Sequence, residues 1–310
     1  MFVRKALVAG VALACAAGIA QAREIKSVGV TVGSLGNPFF VTIAKGAEAK
    51  VKEMYPNAKV ITASADYDLN KQFTQIDNFI SAGVDLILLN AADAKAIEPA
   101  VKKAQKAGIT VVAVDVAAAG ADATVQTDNV QAGRLACEHI VKKLGGKGNV
   151  VIQNGPQVSA VVDRVKGCKE VLGAASGIKV LSDDQDGKGS REGGMNVMLG
   201  HLTRFQKLDA VFTINDPQAI GTDLAARQLK RKGIVITSVD GAPDIETALK
   251  NDTQVEASAS QDPWLMAQQA VVIGNDILNG KKPASPMVLI PSTLVTRDTI
   301  GSYKGWSSPR

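Results

Sequence analysis

Short apolar segments alternate with longer segments of helical periodicity along almost the whole chain, and this alternation restricts the fold more than any other feature. In the first half, apolar runs at 25–33, 59–64, 85–89 and 110–114 alternate with helical patterns at 38–54, 69–82 and 94–107. Short buried strands separated by helices of this length indicate βαβ units. Their right-handed crossovers place helices on both faces of a parallel sheet.

The alternation pauses near 117–129 and then restarts, which indicates two units of similar size. Strands are predicted at 149–153, 178–182, 209–213 and 234–239, and helices at 130–144, 158–174, 190–203 and 217–231. A strand at 254–259, a helix at 263–279 and a last segment rich in proline and β-branched residues follow. Because 310 residues exceed one ordinary core, we expect an α/β protein with two doubly wound parallel-sheet lobes.

The first 22 residues have the pattern of an export signal. Arg4 and Lys5 precede an apolar run at 6–19, and Ala20-Gln21-Ala22 is a small-x-small cleavage site. The run is too short to span a membrane. We therefore expect cleavage after Ala22 and an exported mature protein that begins at Arg23.

Cys137 and Cys168 both fall in predicted helices of the second unit. An oxidising compartment permits a disulfide between them, but the sequence does not measure the distance between two helices. A structural bridge and two buried thiols remain alternatives at this point.

The sequence lacks a complete motif for catalysis, for a cofactor or for a metal. Gly29, Gly33 and Gly36 do not form a dinucleotide fingerprint, because Thr31 occupies the second glycine position. The two histidines have no metal-ligand spacing. The net charge of +5 comes from lysines spread along helices, which is not typical of a nucleic-acid-binding surface. We expect no enzyme activity, no cofactor and no nucleic-acid partner.

Polar side chains follow several predicted strands at their carboxyl ends, where open parallel sheets bind ligands. The candidates at these ends, together with one arginine in the helix after 149–153, are Asn37, Asp115, Asn215, Asp240, Gln261 and Arg164. Carboxylates and amides bond hydroxyl groups, and the rings of Phe39 and Phe40 can cover the apolar face of a sugar. The alternative is that these polar residues only cap helices and both phenylalanines belong to the core.

Nearly end to end, the expected mature chain resembles the periplasmic solute-binding proteins of sugar importers, in the style of ribose-binding proteins. The motifs that carry the resemblance are GSLGNPFF, GVDLILLNAAD, AGITVVAVD, TDNVQAG, SAVVDRVKG, VFTINDPQAIG, ITSVDGAPD and SASQDPW. The resemblance implies a periplasmic protein whose two lobes are joined by hinge crossings near Thr127-Asp128, Gln261 and Pro291-Ser292. It implies one lobe from 23–127 plus 262–291 and another from 128–261 plus 292–310.

The resemblance also implies a ligand site and partners. The residues expected to line the cleft are Asn37, Phe39, Phe40, Asp115, Arg164, Asn215, Asp240 and Gln261, with Arg164 as a bidentate clamp on ligand oxygens. The implied protein is a monomer that binds a sugar or polyol and delivers it to the membrane permease of an ABC importer. A chemoreceptor is an alternative partner.

Three departures separate this chain from the ribose-type pattern. Val116 stands where that pattern has an arginine, and Val239 where it has a phenylalanine. The segment 183–194, DDQDGKGSREGG, has no aromatic residue, so one face of the usual ring sandwich is missing, and polar contacts from Lys188, Ser190 or Arg191 are its candidate replacements.

These departures leave the ligand open. The alternatives are a pentose other than ribose, a deoxy or branched sugar, a polyol and a small signal molecule. Two rival functions share a two-lobed fold: a repressor-type ligand-sensing core, which needs an N-terminal DNA-binding segment, and an enzyme such as a dehydrogenase, which needs a fingerprint and an acid–base pair.

Overall fold

A computed structural model describes residues 23–306, and the predicted export signal with its cleavage site lies outside the described residues. The described strands are β1 (Ser27–Val32), β2 (Lys59–Ser64), β3 (Leu86–Leu89), β4 (Thr110–Val114), β5 (Ala123–Thr127), β6 (Lys147–Gln153), β7 (Gly177–Ser182), β8 (Ala210–Thr213), β9 (Val235–Asp240), β10 (Val255–Ser260), β11 (Met287–Ile290) and β12 (Thr293–Thr296). They form two six-stranded sheets of equivalent order, β2-β1-β3-β4-β5-β11 and β7-β6-β8-β9-β10-β12. The predicted pair of doubly wound lobes is confirmed.

Helices cover both faces of each sheet. In chain order they are α1 (Pro38–Met54), α2 (Leu69–Ser81), α3 (Glu98–Lys106), α4 (Asn129–Lys143), α5 (Ser159–Ala174), α6 (Arg191–Arg204), α7 (Asp216–Gln228), α8 (Pro243–Lys250) and α9 (Pro263–Leu278). Helices α1–α3 and α9 pack with the first sheet, and α4–α8 pack with the second. We call these assemblies the first and second lobes; the exact residue bounds expected for them stay a prediction.

Two helices differ from the sequence-based expectation. Helix α3 begins at Glu98 rather than at 94, because the Asp93 carboxylate accepts hydrogen bonds from the amides of Lys95 and Ala96 and holds a turn there. Helix α8, which has only eight residues, was not predicted. Two turns are too short for a hydrophobic period to be recognised in sequence.

The chain passes between the two lobes three times. It leaves β5 for α4 at Asp128, leaves β10 for α9 at Gln261, and leaves β11 for β12 at residues 291–292. Strand β12 is antiparallel to its neighbour β10, whereas the other strand pairings of the described chain are parallel. The reason is geometric: β10 ends at the hinge and β12 begins there, so the two strands run in opposite directions.

Helices α4 and α5 approach each other unusually closely. A Cβ atom at Gly133 would overlap the carbonyl oxygen of Arg164, and one at Gly167 would overlap that of Val130. The absence of side chains at both positions lets the two backbones meet. One turn further along, a disulfide joins the two helices between Cys137 and Cys168, whose Cα atoms are 5.2 Å apart. Of the two alternatives for Cys137 and Cys168, the structure therefore has the disulfide bridge.

The C-terminal segment touches both lobes. The Tyr303 hydroxyl donates to the carbonyl of Gly241 in the second lobe at 2.9 Å. The indole of Trp306 donates to the carbonyl of Gln261 at 3.1 Å and packs edge-on against Phe39 of the first lobe, with 5.4 Å between ring centroids.

The disulfide gives the first prediction. It closes a loop with a sequence separation of 31 residues, and for a loop of this size the chain-entropy model gives about 3–4 kcal/mol of stabilisation. Replacing both Cys137 and Cys168 by Ser should lower the free energy of unfolding by that order, measured by urea denaturation of the chain from Arg23. A reductant should destabilise the native protein but leave the double variant unchanged; equal denaturation midpoints for the two proteins would contradict the prediction.

Candidate functional site

The sequence-predicted polar residues gather where the carboxyl ends of both sheets face the hinge. Asp115 follows β4, Asp240 ends β9, and Gln261 follows β10. In each sheet the strand order reverses beside the first strand of the lobe, which is the switch point where open α/β sheets bind ligands. The fold therefore opposes two such ligand-binding edges across one hinge.

Five of the residues there form a closed ring of hydrogen bonds, which we call the hinge ring: Thr127, Asn129, Arg164, Asp240 and Gln261. The Thr127 hydroxyl donates to Gln261 Oε1 at 2.7 Å, and Gln261 Nε2 donates to Asp240 Oδ1 at 2.7 Å. Arg164 Nη1 lies 3.4 Å from the same oxygen, and Arg164 Nε donates to Asn129 Oδ1 at 2.8 Å. Asn129 Nδ2 closes the ring on the Thr127 carbonyl at 3.1 Å.

Arg164 is only 5 % exposed, and its hydrogen bonds to the protein come from Nε and Nη1. Besides the hinge ring, Nη1 donates to the carbonyl of Ile214 at 2.9 Å. Within residues 23–306, Nη2 makes no hydrogen bond to the protein. Nη2 therefore keeps its two N–H groups available for oxygens of a ligand.

Asp115 faces Arg164 from the first lobe and is held in an uncommon backbone conformation. Its φ is +72°, and the φ of Asp240 is +139°. Non-glycine residues in such regions cost on the order of 1–3 kcal/mol each, and they concentrate at functional sites. The amide of Asn90 fixes Asp115 Oδ2 at 2.9 Å, so one carboxylate oxygen is held and the other stays available.

Burial perturbs the ionisation of three carboxyl groups, two of which interact with the Arg164 guanidinium. Burial raises the pKa of Asp115 to about 6, against the lowering effect of the Arg164 charge. Burial also raises the pKa of Asp240, again opposed by Arg164. Behind them, burial and the Asp240 charge raise the pKa of Asp216 to about 8, although two serine hydroxyls and the Ala242 amide donate to it. The site therefore provides mainly carboxyl groups, whose oxygens can accept hydrogen bonds from ligand hydroxyls.

Asn37 and the two phenylalanines lie at the entry to α1. Asn37 Oδ1 caps the helix by accepting from the Phe39 amide at 2.9 Å, which leaves its Nδ2 as a donor. The rings of Phe39 and Phe40 meet edge to face at 5.3 Å and are both buried in the core of the first lobe. The cap and the core positions expected in the alternative interpretation are thus present, and they do not exclude contact with a ligand.

Asn215 has a different set of partners. Its Oδ1 caps α7 through the Gln218 amide at 3.1 Å, and its Nδ2 donates to the Gly189 carbonyl at 2.9 Å. Asn215 therefore holds the loop before α6 against the start of α7. Its role as a ligand-binding residue stays a prediction.

Two of the three polar residues expected to replace the missing aromatic face already have protein partners. Val239 is fully buried in the core of that lobe. Ser190 caps α6, and Arg191 pairs with Asp244 at 2.6 Å on the exposed surface. A ligand contact from Lys188, the third candidate, stays a prediction.

Sequence reasoning missed Asn90, Asn129 and Tyr67. Asn90 follows a buried strand directly, so the rule that identified Asp115 should have identified it as well. Asn129 is the first residue of α4 and belongs to a motif that carried the resemblance. Tyr67 packs against Phe40 with 6.1 Å between ring centroids, so Phe39 and Phe40 are not the only rings of the first lobe at this edge. No pattern in the sequence around Tyr67 marks it.

Among residues 23–306, no three His, Cys, Asp or Glu side chains are placed to hold a metal ion. No described helix has the length and apolar character needed to cross a bilayer.

Comparison with known proteins places this architecture among solute receptors. Residues 28–282 match the family model described as a periplasmic binding protein domain. The ribose import binding protein RbsB of Bacillus subtilis is 34 % identical over 259 residues, which cover 83 % of each chain. A xylitol-binding protein of Mycolicibacterium smegmatis is 32 % identical over 303 residues, covering 93 % of this chain and 82 % of that protein. An ABC transporter solute-binding protein of Bacillus halodurans with bound myo-inositol superposes with a TM-score of 0.82 at 25 % identity, covering 92 % and 98 % of the two chains.

The raised pKa of Asp115 gives the second prediction. Because the folded protein binds this proton more tightly than the unfolded chain, whose aspartates titrate near 3.8, stability should fall as pH rises from about 4 to about 7. The shift corresponds to about 2 kcal/mol between pH 4.5 and 7.5. Asp115→Asn should remove this part of the pH dependence, measured as the difference between the two proteins in urea denaturation at both pH values. If the difference in stability between the two proteins is the same at both pH values, the prediction is wrong.

Proposed function

Because this chain belongs to the periplasmic binding protein family, we propose that it captures a sugar or related polyol between its lobes and delivers it to the permease of an ABC importer. The relatives named above are described as receptors for ribose and for xylitol, and a structural neighbour holds myo-inositol. These ligands share several adjacent hydroxyl groups, which points to a polyhydroxy ligand.

The observation that carries the proposal is the opposition of Asp115 to Arg164 and Asp240 across the hinge. Asp115 belongs to the first lobe, and the other two belong to the second. Carboxylates accept hydrogen bonds from ligand hydroxyls, and Nη2 of Arg164 donates to ligand oxygens. A ligand that bonds to all three must contact both lobes at once.

Such a ligand shifts the protein toward the closed arrangement. It first binds one lobe, and the contacts to the other lobe form only when the cleft is closed. The closed form then presents a different outer surface to the permease. In this mechanism Gln261 transmits the change, because it lies at a hinge crossing and bonds to Asp240.

The remaining expected residues complete the site. Asn37 contributes an amide donor, Phe39 and Phe40 contribute the apolar wall of the first lobe, and Asn215 positions the opposite loop. The wall is one-sided, because the segment 183–194 of the second lobe has no aromatic residue. A ligand held mainly through hydroxyls, rather than between two rings, suits this arrangement.

The cellular setting follows the same proposal. The protein is exported, cleaved after Ala22, and acts in the periplasm as a monomer. A chemoreceptor is an alternative partner for the closed form, and a small signal molecule is an alternative ligand. A ligand-sensing repressor core and an enzyme are the rival functions, and neither has support from an observation made above.

The third prediction concerns the ligand. A melting series of the chain from Arg23 against pentoses, pentitols, hexoses and inositols should identify a compound that stabilises it. At a hundred times the Kd the gain is about 2.7 kcal/mol, and the compound should be recovered chemically unchanged. If none of these compounds shifts the melting temperature, the proposal is wrong.

The fourth prediction tests the site with that compound. Arg164→Ala should reduce its affinity by at least about 100-fold, the effect of losing a hydrogen-bonded charge worth about 3 kcal/mol. Asn37→Ala should reduce the affinity by about 10-fold, the effect of losing one hydrogen bond. Isothermal titration calorimetry gives the affinities, and circular dichroism verifies folding.

Arg134→Ala is the matched control, because Arg134 lies on α4 and pairs with Glu170 on the exposed surface. It should bind like the native protein. Native affinity in both Arg164→Ala and Asn37→Ala would reject the site assignment.

A further inference from the structure

Tyr67 stands in a loop that holds it in an unusual backbone conformation. Asp66 and Tyr67, just after β2, have φ values of +53° and +58°, a left-handed pair without glycine. The Tyr67 amide donates to the Gly33 carbonyl at 3.1 Å. The Asp66 carboxylate accepts from the Ser64 hydroxyl and pairs with Lys71. Several contacts thus stabilise a conformation that most residues avoid.

The strained loop places the ring of Tyr67 against the wall of the first lobe. The ring meets Phe40 edge to face, and a Cβ atom at Gly33 would lie 2.8 Å from Tyr67 Cε1. The residue is nevertheless 62 % exposed. An aromatic side chain that is held on one side and open on the other provides a surface for a ligand.

The phenol of Tyr67 interacts electrostatically with the charged part of the site. Partial burial of the side chain raises the pKa of Tyr67, and the negative charges of Asp115 and then Asp240 raise it further. A hydrogen bond from the Asn37 side chain lowers it. Since Asn37 Oδ1 is used by the helix cap, the group that faces Tyr67 is the donor Nδ2. The Tyr67 oxygen therefore accepts from Asn37, and its own proton remains free to donate.

We propose that Tyr67 is a specificity-determining residue of the cleft, where one ligand hydroxyl accepts a hydrogen bond from Tyr67 and donates one to the free carboxylate oxygen of Asp115. The inference rests on the proposed function and names a group that its ligand must have. Both halves of the bridge lie in the first lobe, on the loops after β2 and β4.

The chemistry of the bridge limits the ligand class. A hydroxyl is the simple group that accepts from one partner and donates to another at the same atom. A carbonyl or an ether oxygen accepts only and would leave the Asp115 carboxylate without its donor. A deoxy compound that lacks this hydroxyl leaves both protein groups unpaired, and sites of this kind reject such analogues strongly.

A double-mutant cycle tests the bridge with the sugar or polyol that stabilises the native protein. Tyr67→Phe keeps the ring and removes the hydroxyl, and Asp115→Asn keeps the shape and removes the charge. Each should weaken binding by about 10-fold or more in calorimetry, since one hydrogen bond is lost. The double variant should lose clearly less than the product of the two single losses, because both act on one ligand hydroxyl.

A ligand series and a control complete the test. Among monodeoxy analogues of the bound compound, one should bind much more weakly to the native protein but lose little further affinity in Tyr67→Phe. Tyr55→Phe is the control, because the Tyr55 hydroxyl bonds to Asn275 at 2.7 Å, away from the cleft. It should keep native affinity.

The outcomes separate this inference from the function on which it rests. A native protein that binds a polyol while Tyr67→Phe binds it equally well overturns the bridge and leaves the proposed function standing. The bridge is also refuted if the affinity loss of the double variant equals the product of the two single losses. If no sugar or polyol stabilises the native protein, the proposed function fails and the bridge fails with it.

Discussion

The buried guanidinium of Arg164 is the constraint on which the site and the hinge both depend. A charge that is 5 % exposed is tolerated only where partners surround it. Its partners come from α4, from the end of β8 and from the end of β9, and Asp240 passes the connection on to Gln261. The ring that results includes residues of two hinge crossings. Any ligand that redistributes charge around Arg164 is therefore connected to the hinge by hydrogen bonds, without a long intervening path.

Much of this architecture could be predicted from sequence, because the responsible physics is local or periodic. Buried parallel strands have continuous apolar runs, the helices between them have a period near 3.6, and the polar residue after each strand must lie at one edge of the sheet. Asp115, Asp240 and Gln261 were found by this reasoning. Arg164 was expected from a motif, and the structure adds why it can lie there: Gly133 lets α4 meet the backbone of α5 at that residue.

The remaining features depend on contacts between distant parts of the chain. Predicting the disulfide would have required the distance between α4 and α5. Two glycines set this distance, and no spacing in the sequence reveals it. The position of Tyr67 depends on two successive residues in the left-handed conformation, Asp66 and Tyr67. A loop without glycine is not expected to adopt this conformation. The antiparallel direction of β12 follows from its start at the hinge, and only the assembled topology places it there. In each case the local signal is absent because the cause is tertiary.

The C-terminal segment connects the two lobes through a short stretch of chain. Tyr303 is fastened to the second lobe at Gly241, and Trp306 is fastened to Phe39 and to the hinge at Gln261. Only Lys304 and Gly305 lie between these attachments, and a side chain at Gly305 would require the carboxylate of Glu246 to move. When the lobes rotate, either the backbone of these two residues must change conformation or the contacts of the Trp306 indole must break. Trp306 is thus an intrinsic fluorophore that contacts both the first lobe and the hinge, and we expect a change in the angle between the lobes to change its emission without any label.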